Sequence, residues 1–364
     1  MKHIRLSLFT AFLLSFISLS NLACAQGETN QTKPSENNFK PAKFKENLNS
    51  KRATEKSNIT RLEGWVWMSY IIGTDGIPKD IEVIDHSEKG YSLKVSFRFI
   101  KNFRYHPAKI NGKPVESAKT YLLRHSVSFV GTDNDGISPG FRNRYNEARK
   151  LLGAKEVIKA KAVLDELAQT NTKNLTEQSL SAWLHSVYFA NQKNWSAYGE
   201  NVQSAHHLRR FLPTKMAIEN SQNLRDHQLF KKHYADAIIT IYSMRHIKNA
   251  ELDEATLQAM VKPIKDLINA PEPIVLEATL EQDLVWMHGI ARDTLSITFS
   301  GGEEGEGEIK MAELRCRNTH HVLSAGKIEQ FEIPAHYRGC ALILKGTPGT
   351  KVVVTETGDM GIMY

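Results

Sequence analysis

The sequence predicts a multidomain α+β protein, and three changes of hydrophobic period predict it. Residues 61–131 carry two strand-like runs, a helical stretch and a further strand, the order of a small ββαβ domain. From 141 to 270 apolar residues recur at helical spacing. From 274 to 364 short β-branched runs alternate with turn formers, as in a small β-sandwich. A chain of 364 residues has room for two or three such units. Its 41% hydrophobic and 24% charged residues are those of a globular protein rather than a disordered one.

Residues 1–25 read as a signal peptide. Lys2, His3 and Arg5 form a basic start, residues 6–19 are apolar, and Ala23-Cys24-Ala25 places small residues at the −3 and −1 positions of a cut after Ala25. Two alternatives stay open. Cys24 after Ala23 suits lipidation, although Asn21 stands where a leucine is usual, and an uncut apolar helix would anchor the chain in a membrane. Removing Lys2 and Arg5 takes the formal net charge from +7 to +5. That surplus is modest, and no basic run with interleaved aromatics suggests a nucleic-acid partner. Residues 26–60, rich in Asn, Lys, Ser and Glu, read as a polar linker.

Within 61–131, residues 65–72 are an uncharged aromatic and β-branched run, the composition of a buried strand. Asp75-Gly76 supplies a tight turn, and Ile81-Glu82-Val83 alternates as a return strand would. In residues 90–103, Leu93, Phe97 and Ile100 fall on one helical face, while Val95, Phe97 and Phe99 also fit a period of two. Pro107 ends that element, Asn111-Gly112 makes a second turn, and residues 121–129 form the last strand.

These residues resemble the C-terminal domain of the TonB energy-transducer family. The matching marks are Gly64-Trp65-Val66, Asp75-Gly76-Ile77-Pro78, Ile81-Glu82-Val83, and Phe103-Arg104-Tyr105-His106-Pro107-Ala108 running into Asn111-Gly112-Lys113-Pro114-Val115. The resemblance covers about a fifth of the chain. It implies a periplasmic protein that takes an extended peptide of an outer-membrane receptor, or another envelope protein, by strand addition. The peptide-binding residues it implies are Phe103, Arg104, Tyr105, His106 and Pro107, with Tyr121, Leu123, His125, Val127 and Phe129 on the candidate edge strand. Between His86 and His125 there are nine Lys/Arg and two Asp/Glu, which favours an acidic peptide. The family's long proline-rich spacer is missing, with only Pro34 and Pro41 in the linker. Coupling to an inner-membrane proton motor would require the N-terminal helix to be retained. An envelope scaffold whose helical region binds a protein partner is the alternative function.

The helical region resembles a tetratricopeptide array, since Ala162, Tyr198 and Ala237 recur every 36 to 39 residues; an irregular bundle is the alternative. Gly136-Ile137-Ser138-Pro139-Gly140 matches the G-x-S-x-G elbow, but Pro139 has no N–H to offer an oxyanion. Among His206, His207, His227, His233 and His246 no pair has i, i+3 or i+4 spacing, so neither a metal nor any cofactor is expected. No acid/base pair, nucleotide loop or nucleophile with a base stands out, and the chain does not read as an enzyme. In an exported chain Cys316 and Cys340 read as a disulfide, with two buried thiols as the alternative. Short strands are expected at 274–280, 284–286, 294–299, 309–316, 328–333, 341–344 and 351–356. The acidic loop 301–308 lacks a calcium-loop pattern.

Overall fold

The computed structural model is a mixed α+β protein, described over residues 38–48, 63–87, 93–125, 136–169, 174–301, 307–324 and 326–361. The signal-peptide residues, Val127, Phe129 and residues 302–306 of the acidic loop lie outside these. Among the described residues no helix is long and apolar enough to cross a membrane. Residues 37–364 hold together as one unit.

Two strands fall inside the expected linker and correct it. β1 (Phe39–Lys40) and β2 (Lys43–Asn47) pair antiparallel with β6 (Ala108–Ile110) and β5 (Phe103–His106) respectively. The driving contact is Phe44, which meets the Phe103 and Tyr105 rings edge-on at 5.3 and 5.6 Å. A composition average over a polar stretch hides one phenylalanine that has an open strand to pair with.

β3 (Gly64–Ile72), β4 (Pro78–His86) and β8 (Ser117–His125) form an antiparallel sheet in the order β4-β3-β8. The ambiguous stretch is a helix, α1 (Leu93–Lys101): Ile100 is buried and Val95 exposed, which a period of two would not give. It stops at Lys101, well before Pro107, and β5 intervenes. Gly76 has φ 81° and accepts from Tyr105 N at 2.9 Å. A Cβ there would strike the Tyr105 carbonyl, so glycine serves both the turn and the close approach. Asn111 and Gly112, at φ 51° and 79°, close the hairpin of β6 with β7 (Lys113–Val115).

The β3 residues are buried on both faces. Val66, Met68, Tyr70 and Ile72 pack with Ile100, Phe103 and Tyr105, while Trp65 and Trp67 turn to Leu175 and Leu208. A strand covered twice reads as an unbroken apolar run.

The helices α2 (Pro139–Gly153), α3 (Val157–Gln169), α4 (Leu175–Asn191), α5 (Trp195–His207), α6 (Thr214–Phe230), α7 (Tyr234–Ser243) and α8 (Glu254–Ile268) pack on their chain neighbours, α2 on α3, α4 on α5 and α6 on α7. Ser138 is the N-cap of α2, its side chain accepting from Phe141 N, with Pro139 in the first turn. That is the role of the elbow-like motif. Ala162 is exposed, and Ala160 is the buried alanine that meets Leu164 and Leu167 on one face. The recurrence that includes Ala162 therefore does not mark a shared packing position.

The remaining strands are β9 (Ile274–Thr279), β10 (Trp286–Gly289), β11 (Arg292–Ser300), β12 (Ile309–Cys316), β13 (Thr319–Val322), β14 (Ile328–Glu332), β15 (Ala341–Gly346) and β16 (Lys351–Met360). They make two antiparallel sheets, β14-β11-β16-β9 and β10-β15-β12-β13. Leu295, Val354, Leu314 and Leu342 from both share a core with Leu257 and Ile264 of α8. Strand β13 was not expected, and β10 begins later than the expected 284–286. Leu284 instead packs on the β3 core, and Val285 N donates to Val83 O of β4 at 2.9 Å.

Cys316 and Cys340 form a disulfide across 24 positions, tying the end of β12 to the approach to β15. Replacing both with serine should lower stability by about 3 kcal/mol through the freed unfolded chain. The urea midpoint of the oxidised protein against the double variant measures it.

Candidate functional site

The structure brings together only some of the residues expected to take a peptide. Phe103, Tyr105 and Leu123 are buried in one core with Tyr121, and the Phe103 and Tyr121 rings lie 5.2 Å apart. The Tyr70 and Tyr105 hydroxyls share a hydrogen bond of 2.6 Å. Arg104 turns back on the Lys101 and Phe103 carbonyls, and His106 is exposed. His125 and Pro107 are half-buried. Those aromatic side chains fill the core, so an added strand would meet backbone rather than side-chain pockets. One such edge, that of β5, is already taken by Lys43–Asn47. β8 lies at the end of its sheet.

A cleft of about 1070 Å³ opens where the β4-β3-β8 sheet, the helices and the C-terminal strands meet. Trp67, Asp85 and Arg124 line it from the first, His207 from α5, and Asp236 and Trp286 from α7 and β10. His207 is buried between Trp65 and Trp67, with ring centroids at 4.8 and 4.9 Å. Burial, with Arg124 and Arg209 adding, lowers its pKa to about 3, so it is neutral. Arg124 reaches past it, donating to the His207 carbonyl at 2.8 and 2.6 Å. This pins β8 to the end of α5.

Asp85 sits 3.9 Å from His207 Nε2. Burial pushes its carboxyl up to about 6, against the His86 N–H that donates to it at 2.7 Å. Glu281 and Glu200 push the same way as burial.

On the far side of the cleft four side chains form a file. His233, the N-cap residue of α7, places Nδ1 3.4 Å from Asp236 Oδ2. His288 Nδ1 lies 3.6 Å from the same oxygen. His288 Nε2 is 2.6 Å from Glu356 Oε1, and Glu356 Oε2 accepts from the Ala291 and Arg292 N–H groups, each at 2.8 Å. Trp286 stacks on His288 at 5.5 Å. Burial opposes charge on His288, but Asp236 and Glu356 outweigh it and raise its pKa to about 9. Asp236 is likewise held ionised, well below the usual carboxylate range, because the two histidines outweigh its burial.

No family model matches this chain, and no curated protein matches it.

Neither wall of the cleft stands out in the sequence. Pairing histidines only with histidines passes over His233 and Asp236, which do stand at i, i+3. His288 and Glu356 lie on separate strands and carry no local pattern at all.

Asp85 gives a pH prediction. Its folded pKa lies above the ordinary 3.8, so the native state holds the proton between about 4 and 6. Stability should therefore fall as pH rises through that window. Its side chain is 37% exposed, so the loss should be only about 1 kcal/mol. Asp85→Asn should remove it, read as the difference in urea midpoint between wild type and variant at either end of the window.

Proposed function

We propose that this chain is a TonB-like periplasmic protein of the cell envelope, which binds an extended peptide by strand addition in TonB-dependent transmembrane transport. The observation that carries this reading is the position of β8 (Ser117–His125) at the end of the order β4-β3-β8. An end strand has backbone N–H and C=O groups along one side that a peptide can pair with. The chain order β3, β4, α1 and, after the short strands β5 to β7, β8 is compatible with the ββαβ unit that the resemblance implies. The chain's own Lys43–Asn47 already pairs with β5 in this way, which supports the same mode for a foreign peptide. In this reading the helices are a degenerate tetratricopeptide-like spacer and the two C-terminal sheets a small β-sandwich. The partner is the N-terminal plug of an outer-membrane receptor or another envelope protein, and a proton motor joins in if the N-terminal helix is retained.

A second reading, an envelope scaffold whose helices bind a protein partner, is favoured by apolar side chains on the helical surface. Ile158 is 90% and Phe230 68% exposed.

Titrating the isotope-labelled full chain with acidic receptor-plug peptides tests the first reading. Amide shifts should concentrate in residues 117–125, and affinity should be weak and fall with added salt. Shifts confined to the helices would favour the scaffold.

A further inference from the structure

We propose that His233, Asp236 and His288 form a binding site for a divalent transition-metal ion of the zinc class, a site independent of the peptide-binding reading. Their ligand atoms all lie within 4.8 Å of one another. Two imidazoles and a carboxylate are the donor set of open zinc sites.

His288 is the residue whose bonding demands an ion. Two backbone N–H groups donate to Glu356 Oε2, which favours the carboxylate, and its Oε1 then accepts from His288 Nε2–H at 2.6 Å. The Nδ1 lone pair of a neutral ring then points toward the Asp236 carboxylate. Nδ1 is fully buried and makes no hydrogen bond. Two acceptors facing each other in a buried site repel unless a cation lies between them. That cation is either a proton or a metal ion, and the spacing separates the two. A charge-assisted N–H···O bond is about 2.7–2.9 Å long. Here Asp236 Oδ2 stands 3.6 Å from His288 Nδ1 and 3.4 Å from His233 Nδ1. Neighbouring ligands around a tetrahedral ion with bonds of about 2.0–2.1 Å lie roughly 3.3–3.5 Å apart. Both separations are long for charge-assisted hydrogen bonds and close to the spacing of neighbouring ligands, and a shift of a few tenths of an ångström would seat all three atoms on one ion.

The surroundings are those of a built site. The His288–Glu356 bond is the carboxylate–histidine arrangement that fixes ring orientation and raises the basicity of a metal ligand. Trp286 stacks on one ring and meets the other edge-on, holding both. Gly289 leaves room for the carboxylate, since a Cβ there would sit 2.8 Å from Asp236 Oδ1. His233 and Asp236 line the cleft and are about one-fifth exposed, so an ion can enter and its fourth position faces the opening.

The test uses the purified full chain stripped with a chelator. Titration with Zn²⁺ by calorimetry, and with Co²⁺ by visible absorption, should show one ion per chain with the intense bands of low-coordinate cobalt. His233→Ala and Asp236→Asn should each weaken binding by roughly 100-fold, and Glu356→Gln by roughly 10- to 100-fold. His246→Ala, at an exposed histidine that does not line the cleft, should bind like wild type. His233 lies at the rim of the cleft, and a far-UV spectrum like that of wild type shows that its variant has folded. No uptake by wild type at micromolar metal would overturn the site, leaving a proton between His288 and Asp236. Unchanged affinity in both His233→Ala and Asp236→Asn would overturn it equally.

Discussion

Everything in this protein leans on one strand that is buried from both sides. β3 gives its Val66, Met68, Tyr70 and Ile72 face to α1 and the Phe103–Tyr105 strand, and its Trp65 and Trp67 face to the helices. A sheet covered twice cannot be solvated on either face, so the later elements of the chain must supply the second cover. They do so with unlike partners. Leu175 and Leu208 come from the helices, while Arg315 of β12 donates to Ser69 Oγ at 3.1 Å. The β4-β3-β8 sheet is thus covered on both faces by other elements of the chain.

Buried charge results from that arrangement, because the joins between elements are where polar groups become enclosed. Arg315 bonds Glu313 at 2.9 Å, and His320 approaches the same carboxylate at 3.2 Å. Arg292 donates to the Ile268 and Ala270 carbonyls, satisfying acceptors left open at the end of α8. Its own N–H meets Glu356, which also holds His288. The file from Asp236 on α7 through His288 on β10 to Glu356 on β16 therefore ties helix to sheet. Removing one member would leave the others buried and uncompensated, which costs far more than losing an exposed pair.

The strand added by Lys43–Asn47 has a different logic. Open strand edges invite pairing with any extended chain, and here the chain itself covers one with β2. Phe44 supplies the apolar contact and remains about half exposed. The side chains the resemblance marks for peptide contact, Phe103 and Tyr105, are spent on the core and on Phe44.

The sequence by itself determined the local elements. The Asp75-Gly76 and Asn111-Gly112 turns and the disulfide pair are legible because each depends on residues that are neighbours in the chain or on simple parity of cysteines. The helical reading of residues 90–103 needed only the burial of Ile100 against the exposure of Val95 to be decided. Tertiary structure decided what joins over long separations: Phe44 on Phe103, Arg315 on Ser69, and the cleft where His233, Asp236 and His288 converge. No period or spacing encodes such meetings, since a strand's partner is chosen by which faces remain uncovered after the local elements form. Asp236 and Gly289 show the reason plainly. One reads as an ordinary first-turn helix acid and the other as a strand glycine, and only their packing makes room for a carboxylate between two imidazoles.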